Sequence, residues 1–352
     1  MDFRPGPAQQ LLVATAREFL RKHADAAAPW RAMAELGWPG LLIPADLGGS
    51  DGSVLDVVLL VEELGRAGTP GPFVPSAVVA TSMVLHGGTL DQRKRMLPAM
   101  AAGERIVTVG LLDSGSSFDP ERISLTLDPP GRLTGRKLFV EAGDVADAVL
   151  VVTRSADDLV VFLLPSDRAG VGRVALDTIG VEKSFTLTLD AVAVGGDDRL
   201  AGGRESVVAA LAAGALARTA EMVGAAQRVL ELAVEHAKTR VQGGRPIGGY
   251  QAIQHACADL VRDVDAARGL LYRAAWKLDA GAPATADVAM AKAYAGEACL
   301  AVARRGHQIF GAIGYCDEHP LHRLHKRILA ASLDCGDAAL HLETVARAIG
   351  LA

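Results

Sequence analysis

The sequence predicts an α+β protein made of three consecutive units, with helices first, strands second and helices third. Apolar residues recur at helical spacing over residues 7–115, short β-rich runs occupy residues 105–200, and helical spacing returns from residue 204. We therefore predict an N-terminal helical domain over residues 1–104, a central antiparallel β domain over residues 105–203 and a C-terminal four-helix bundle over residues 204–352.

Helices and breaks alternate in the first unit. The run PAQQLLVATAREFLRKH has apolar residues at helical spacing, and SVLDVVLLVEELGRAG begins at a serine cap and ends at glycine. The run LDQRKRMLPAMAAGE is also amphipathic. Between the first two runs, LGWPGLLIPADLGGSDG has the glycines and prolines that are typical of a loop.

The other two units differ in their apolar period. The runs RLTGRKLFV, DAVLVVT, DLVVFLLP, GRVAL and FTLTLDAVAV are short and separated by Gly, Asp or Pro, which predicts a small antiparallel sandwich or barrel. In the third unit, LVRDVDAARGLLYRAAWKL spaces its apolar residues four and three apart, as on the face of a helical bundle. The members of this stripe are Leu260, Val264, Ala267, Leu271, Ala274 and Leu278.

Composition restricts the class of protein. The net charge is −5, and no Lys/Arg stripe interleaved with aromatic residues is present, which argues against nucleic-acid binding. No run of 18 apolar residues predicts a membrane span. The four cysteines form no C-x-x-C pair, and the N-terminal MDFRPGPAQQ lacks the order of a signal peptide. We therefore expect a cytoplasmic protein with reduced thiols.

Two further motifs predict no ligand. GGRPIGG follows no strand and so is not a dinucleotide fingerprint. In HPLHRLH, His319, His322 and His325 are spaced by three, which spreads them over about a third of a helix circumference. No other Asp, Glu or His set completes a metal site with them, so no metal ligand is predicted.

Three stretches resemble the acyl-CoA dehydrogenase family in order and spacing, over nearly the whole chain. They are ELGWPGLLIPADLGG, TRVQGGRPIGGYQAIQHACADL and HQIFGAIGYCDEHPLHRLHKR. The resemblance implies an acyl-CoA dehydrogenase-like fold, FAD as cofactor and an acyl-CoA thioester as substrate. It also implies a reaction in which a carboxylate removes the α-proton while the β-hydrogen leaves as hydride to the flavin.

The catalytic base of the family is missing at its expected position. The usual base is the Glu of Tyr-Glu-Gly-Thr, nine residues past the Arg of Arg-Leu-x-Arg-Asp. Here Lys326 takes the place of that Arg, and nine further residues reach Cys335, followed by Gly336. A thiol is a poor base at neutral pH. Asp334 is a weak candidate because it is short and one residue out of register, so we predict no catalytic residue in this chain.

The second base position of the family also holds no acidic residue in this chain. Some members place the base on an earlier helix, next to an Arg and about nine residues before a Val-Gly pair. By that count this chain has Gly214 and Ala215 there. Arg218 and Glu221, further along, are interpreted as a helical ion pair at three-residue spacing.

The resemblance divides the flavin site into two halves. Where the family faces the isoalloxazine ring, this chain has Leu112 for Thr, Asp113 for Glu, Phe139 for Trp and Glu141 for Thr. An anionic Glu141 would disfavour reduction of the ring. The residues that approach the pyrophosphate and adenosine of a neighbouring subunit's FAD are better matched, apart from Gly243 and Ala312, which replace Phe and Gly. The predicted cofactor-binding residues are Arg240, Gln242, Gln308 and Gly311.

This asymmetry leads to one hypothesis and two alternatives. The chain is interpreted as the base-less subunit of an α2β2 acyl-CoA dehydrogenase that shares FAD with a catalytic partner and passes electrons to an acceptor. The resemblance implies a bulky acyl group, such as a sterol side chain. The alternatives are a homotetrameric enzyme that uses Asp334 or another base, and a flavin-free scaffold.

Overall fold

A computed structural model describes residues 5–23, 30–115, 117–129, 131–156, 158–180 and 182–351. Residues 1–4, at the start of the first predicted unit, and residue 352, at the end of the third, lie outside these ranges. Within them the helices are α1 (Pro7–Lys22), α2 (Trp30–Glu35), α3 (Val54–Ala67), α4 (Thr81–Gly87), α5 (Leu90–Ala101), α6 (Arg204–Thr239), α7 (Gln251–Asp279), α8 (Thr285–Phe310), α9 (Leu321–Leu333) and α10 (Ala338–Ala348). A π-helical segment, Phe73–Ala80, leads directly into α4.

Local capping explains the helices of the first unit. The Ser53 hydroxyl accepts a hydrogen bond from the Asp56 amide at the start of α3, and Thr89 does the same for Gln92 at the start of α5. Gly68, with φ of 70°, ends α3 in the left-handed conformation that glycine adopts readily. The predicted serine cap is therefore seen in the fold.

The central unit contains two sheets. Their strands are β1 (Val107–Gly110), β2 (Leu127–Asp128), β3 (Arg132–Glu141), β4 (Ala148–Ser155), β5 (Asp158–Pro165), β6 (Val171–Leu176) and β7 (Ser184–Ala193). One sheet has the order β1-β4-β5 and the other β2-β3-β7-β6. All pairs are antiparallel except β1 with β4, which differs from the expected all-antiparallel unit. A parallel pair is possible because β2 and β3 lie between β1 and β4 in the chain and form the long crossover that it needs.

The C-terminal unit is a bundle of α6, α7, α8 and α9, with α10 packed on α8. The predicted stripe on α7 lies in its core, and a hairpin of β8 (Val241–Gln242) and β9 (Arg245–Pro246) joins α6 to α7. Helix α6 has the length and hydropathy of a membrane span, but 72% of its apolar window is buried within the fold. It is therefore the central helix of the bundle.

Two glycines bring α3 and α6 into backbone contact. A Cβ at Gly224 would overlap the Glu62 carbonyl oxygen, and one at Gly65 would overlap that of Glu221. One large apolar core consequently runs from the N-terminal helices into the bundle. This close crossing fixes the stretch of α6 that holds Arg218 and Glu221 against the first unit. Helices, strands and helices thus follow one another along the chain in the predicted order.

Candidate functional site

The family's base position lies in a tight loop between α9 and α10. Cys335 and Gly336 both have positive φ, 54° and 101°, and the Cys335 side chain is buried. The buried ammonium of Lys292 donates to the carbonyl oxygens of Ser332 (2.9 Å) and Gly336 (2.7 Å). This ammonium holds the backbone on both sides of Cys335. The position of the thiol is therefore fixed by the loop.

The two base positions of the family are in contact with each other. A Cβ on Gly214 would lie 2.6 Å from the Cys335 Sγ, so the sulfur occupies the space in front of the glycine. Burial raises the pKa of the Cys335 thiol well above its ordinary value, and nearby Asp334 adds to the shift. Neither position therefore holds a carboxylate.

Gly214→Ala is expected to destabilise the chain by about 1–3 kcal/mol, because the new methyl group collides with the Cys335 sulfur. Chemical unfolding of the variant measures this loss. In Gly214→Ala/Cys335→Ala the sulfur is gone, so part of the stability should return. Equal destabilisation with and without the sulfur would show that the two residues do not touch.

Asp334 points toward α6. Its Oδ2 accepts a hydrogen bond from the Arg218 Nε (2.6 Å), and its Oδ1 accepts one from the Cys335 amide (2.9 Å). Both carboxylate oxygens are therefore engaged. A base must be free to approach the α-carbon of an acyl group, and this carboxylate is held by a guanidinium instead.

Arg218 is the centre of a buried ion cluster. Besides Asp334, its guanidinium donates to Glu221 (2.7 Å) and to Glu141 at the end of β3. Arg327 of α9 contacts Glu221 and lies 3.1 Å from Glu182. The predicted helical pair of Arg218 and Glu221 is thus present, but it belongs to a larger cluster. Arg218 ties the β unit to α6 and to the base-position loop.

The cluster contains four carboxyl groups and two guanidiniums. Desolvation, with additional repulsion from Asp334, Glu182 and Glu221, outweighs the attraction of Arg218 and raises the pKa of Glu141 to about 8. Burial therefore favours the protonated form of Glu141, whereas the sequence suggests an anion at this position. In contrast, Arg327 and Arg218 offset the cost of burial and lower the pKa of Glu221.

This shift predicts that stability falls as pH rises from about 5 to 8. In that window the folded chain keeps a proton on Glu141 that the unfolded chain has released, because the ordinary pKa is 4.5. Each pH unit then lowers the free energy of unfolding by up to about 1.4 kcal/mol. We expect the free energy of unfolding, measured with urea at each pH, to depend less steeply on pH in Glu141→Gln than in the parent chain. The exposed Glu104→Gln should keep the pH dependence of the parent. Parallel slopes for all three proteins would contradict the shift.

The side of the site that would face a flavin ring is narrow. Phe139 has φ of 52° where the register between β3 and β7 shifts, and 57% of its side chain is exposed. It lines a cavity of 60 Å³ together with Leu112, Glu141 and Cys335. That volume holds a few water molecules. Asp113 points elsewhere, into a buried ion pair with Lys137 (2.5 Å).

The predicted adenosine-side residues lie at one end of the bundle. Arg240 follows α6 and Gln308 is in the last turn of α8, and these helix ends meet where the rings of His236 and Phe310 lie 4.5 Å apart. Arg240, Gln242, Gln308 and Gly311 are all exposed. Arg240 forms no ion pair with any residue in the described ranges.

These residues fit the pyrophosphate end of FAD. Gly311 has φ of 67° and ψ of −145°, and a Cβ there would meet no atom within 4 Å, so a phosphate can approach its backbone. At Gly243 a Cβ would lie 2.5 Å from the Tyr250 hydroxyl, which donates to the Gln242 carbonyl (3.0 Å). The glycine found in place of Phe thus makes room for a tyrosine that braces the hairpin. The ring-side cavity, in contrast, does not fit an isoalloxazine.

The histidines set aside in the sequence lie beside this end of the bundle. His319 packs on Phe310, and His325 packs on the buried His307, which in turn stacks on Tyr315. Burial and neighbouring imidazoles lower the pKa of His307. Among the described residues, no group of three or more His, Cys, Asp or Glu side chains is arranged to hold a metal ion.

Comparison with known proteins shows the family. The models for the N-terminal and C-terminal domains of acyl-CoA dehydrogenase match residues 6–104 and 201–350. The chain is 31% identical to acyl-CoA dehydrogenase FadE27 of Mycobacterium tuberculosis, over 90% of this chain and 87% of that protein.

Solved structures agree with this match. A chain of the ChsE4-ChsE5 complex from M. tuberculosis has a TM-score of 0.91 at 29% identity, with all of both chains covered. Butyryl-CoA dehydrogenase from Megasphaera elsdenii also has a TM-score of 0.91, at 26% identity, over 99% of this chain and 100% of that chain. The chain belongs to the acyl-CoA dehydrogenase family, whose members are oxidoreductases with FAD as cofactor.

Proposed function

We propose that this chain is the base-less subunit of a heteromeric α2β2 acyl-CoA dehydrogenase and lends the adenosine and pyrophosphate half of the FAD site to a catalytic partner. The main support is the contact between Cys335 and Gly214, which leaves both base positions of the family without a carboxylate. The engagement of both Asp334 oxygens argues in the same direction.

In the proposed complex this chain would bind the adenosine and pyrophosphate end of FAD. The Arg240 guanidinium presents a rigid fork of donors to the pyrophosphate, and the open backbone at Gly311 lets a phosphate approach. Gln242 and Gln308 provide amide donors and acceptors for the adenosine. When bound, FAD accepts the hydride from the acyl β-carbon. Removal of the α-proton is assigned to a carboxylate of the partner.

The acyl-CoA substrate and the electron acceptor are part of the same proposal. The 60 Å³ cavity beside Cys335 is too small for an acyl chain, so we place the acyl group, including a bulky sterol side chain, in the partner's half. The reduced flavin then needs a separate electron-transfer acceptor. The described cysteines are all free, which suits a cytoplasmic protein.

Two alternatives predict different results. A homotetramer that uses Asp334 must first release this carboxylate from Arg218. A flavin-free scaffold keeps Arg240 only as a cation at the C-terminus of α6, where it suits the helix dipole. Under the scaffold alternative, the flavin content of the complex does not depend on Arg240.

Cys335→Ala tests whether the thiol at the family's base position supplies the base. Turnover of an acyl-CoA by the variant complex should stay within about twofold of the parent complex, because the thiol takes no part in proton transfer. Loss of a catalytic base costs about 10²-fold or more. A loss of that size in a complex with unchanged flavin content would assign proton transfer to this chain and contradict the proposal.

A further inference from the structure

A wide cleft beside α1 and the C-terminal end of α3 contains none of the residues of the proposed FAD site. It lies between α1, the C-terminal end of α3, α6 and the first turn of α9, and its volume is 1110 Å³. Pockets of several hundred cubic ångströms and more are typical of small-molecule sites. Five arginines from these four helices line it: Arg17, Arg21, Arg66, Arg228 and Arg323.

Part of this positive charge is compensated. Arg17 forms a two-pronged pair with Glu63, at 2.9 and 2.8 Å. Arg66 and Arg228 share a single carboxylate, that of Glu231, at 2.7 and 3.3 Å. One carboxylate balances one guanidinium, so this trio retains an excess positive charge.

Arg21 and Arg323 have no carboxylate partner among the residues that the structure describes. Glu18, the other acid that lines the cleft, pairs with Lys22 at 2.7 Å, and Arg21 attracts its carboxylate without forming an ion pair. Arg323 also sits in the first turn of α9, which contains no acidic residue. The N-terminal end of a helix is partly positive and disfavours a cation. A bound anion would relieve this repulsion.

The floor of the cleft is apolar. The side chains of Leu20 and Leu324 line it and are each 3% exposed. A cationic rim above an apolar floor suits a ligand that combines phosphate groups with a ring system. We propose that this cleft binds a phosphate-bearing small molecule of nucleotide size, with Arg21 and Arg323 as its principal phosphate ligands.

Calorimetric titration of the full chain with ADP tests the proposal. ADP should bind saturably at low salt, and inorganic pyrophosphate should compete with it. In Arg21→Ala/Arg323→Ala the dissociation constant should rise about tenfold, because each guanidinium contributes a charge-assisted hydrogen bond. Both side chains are exposed, so the double variant should keep the thermal stability of the parent chain.

Two controls separate this cleft from other anion sites. Arg31→Ala/Arg122→Ala removes the same charge from exposed positions outside the cleft and should leave ADP binding unchanged. The comparison is repeated in the Arg240→Ala background, because ADP could also occupy the adenosine end of the proposed FAD site, and there the cleft variant should again weaken binding about tenfold. The proposal is overturned if ADP does not saturate or if pyrophosphate fails to compete. It is equally overturned if the charge control weakens binding as much as the cleft variant, or if the cleft variant has no effect in the Arg240→Ala background.

Discussion

Arg218→Ala is expected to lower the free energy of unfolding by about 3–5 kcal/mol, the cost of leaving buried charges without their partner. Arg218 is 4% exposed and contacts carboxyl groups from three parts of the chain, Glu141, Glu221 and Asp334. Removing it takes the guanidinium partner from the Glu221 and Asp334 carboxylates in a largely buried site. Urea unfolding of the chain measures the loss.

A matched control makes this result specific. Arg262→Ala, on α7, removes an arginine whose side chain is 62% exposed, and the change should cost at most about 1 kcal/mol although it also breaks ion pairs. Arg218→Lys keeps the charge but loses the fork of donors, so its stability should lie between those of the parent and Arg218→Ala. If Arg218→Ala and Arg262→Ala cost the same, the buried cluster does not hold the site together.

Arg240→Ala is expected to weaken FAD binding by the heteromeric complex about tenfold, the loss of one charge-assisted contact with the pyrophosphate. The affected site would be the partner's, because in the proposed complex this chain contacts only the adenosine and pyrophosphate end of the cofactor. Titration of the flavin-depleted complex with FAD, followed by flavin absorbance, measures the change.

Lys238→Ala is the control for this second experiment. Lys238 lies two residues before Arg240 in the last turn of α6 and its side chain is 68% exposed, so the variant removes the same charge from nearly the same place. Its FAD affinity should equal that of the parent complex. Unchanged affinity in Arg240→Ala would favour the flavin-free scaffold instead.

The fold could be predicted from the sequence because it depends on local patterns, whereas the base position is counted along the family pattern and stays a prediction. Helical period, β-rich runs and the count from Lys326 to Cys335 require no knowledge of distant contacts. The serine cap of α3 and the apolar stripe of α7 are features of the same kind.

The ion cluster could not be predicted because its members are far apart in sequence. Arg218 binds Glu141, 77 residues before it, and Asp334, 116 residues after it. Only the pair with Glu221 has a local signature. Lys292 was missed for the same reason, since the carbonyls it binds are 40 and 44 residues away. The signal available in the sequence is limited to Glu141 and Asp334, two acids at positions where the family pattern has Thr and Tyr.

The contact between Gly214 and Cys335 joins two observations that the sequence shows only separately. Each count along the chain finds a position without a carboxylate. In the structure these two positions are in contact with each other. The Cys335 sulfur packs against Gly214 where the family pattern would place a carboxylate.

The most direct test of the proposed heteromer is to purify this chain alone and together with a candidate catalytic partner of the acyl-CoA dehydrogenase family. Bound flavin and acyl-CoA oxidation are then measured in each sample. We predict that the chain alone is colourless and inactive, and that the co-purified complex is yellow and active. A chain that by itself retains stoichiometric FAD and oxidises an acyl-CoA would contradict the account.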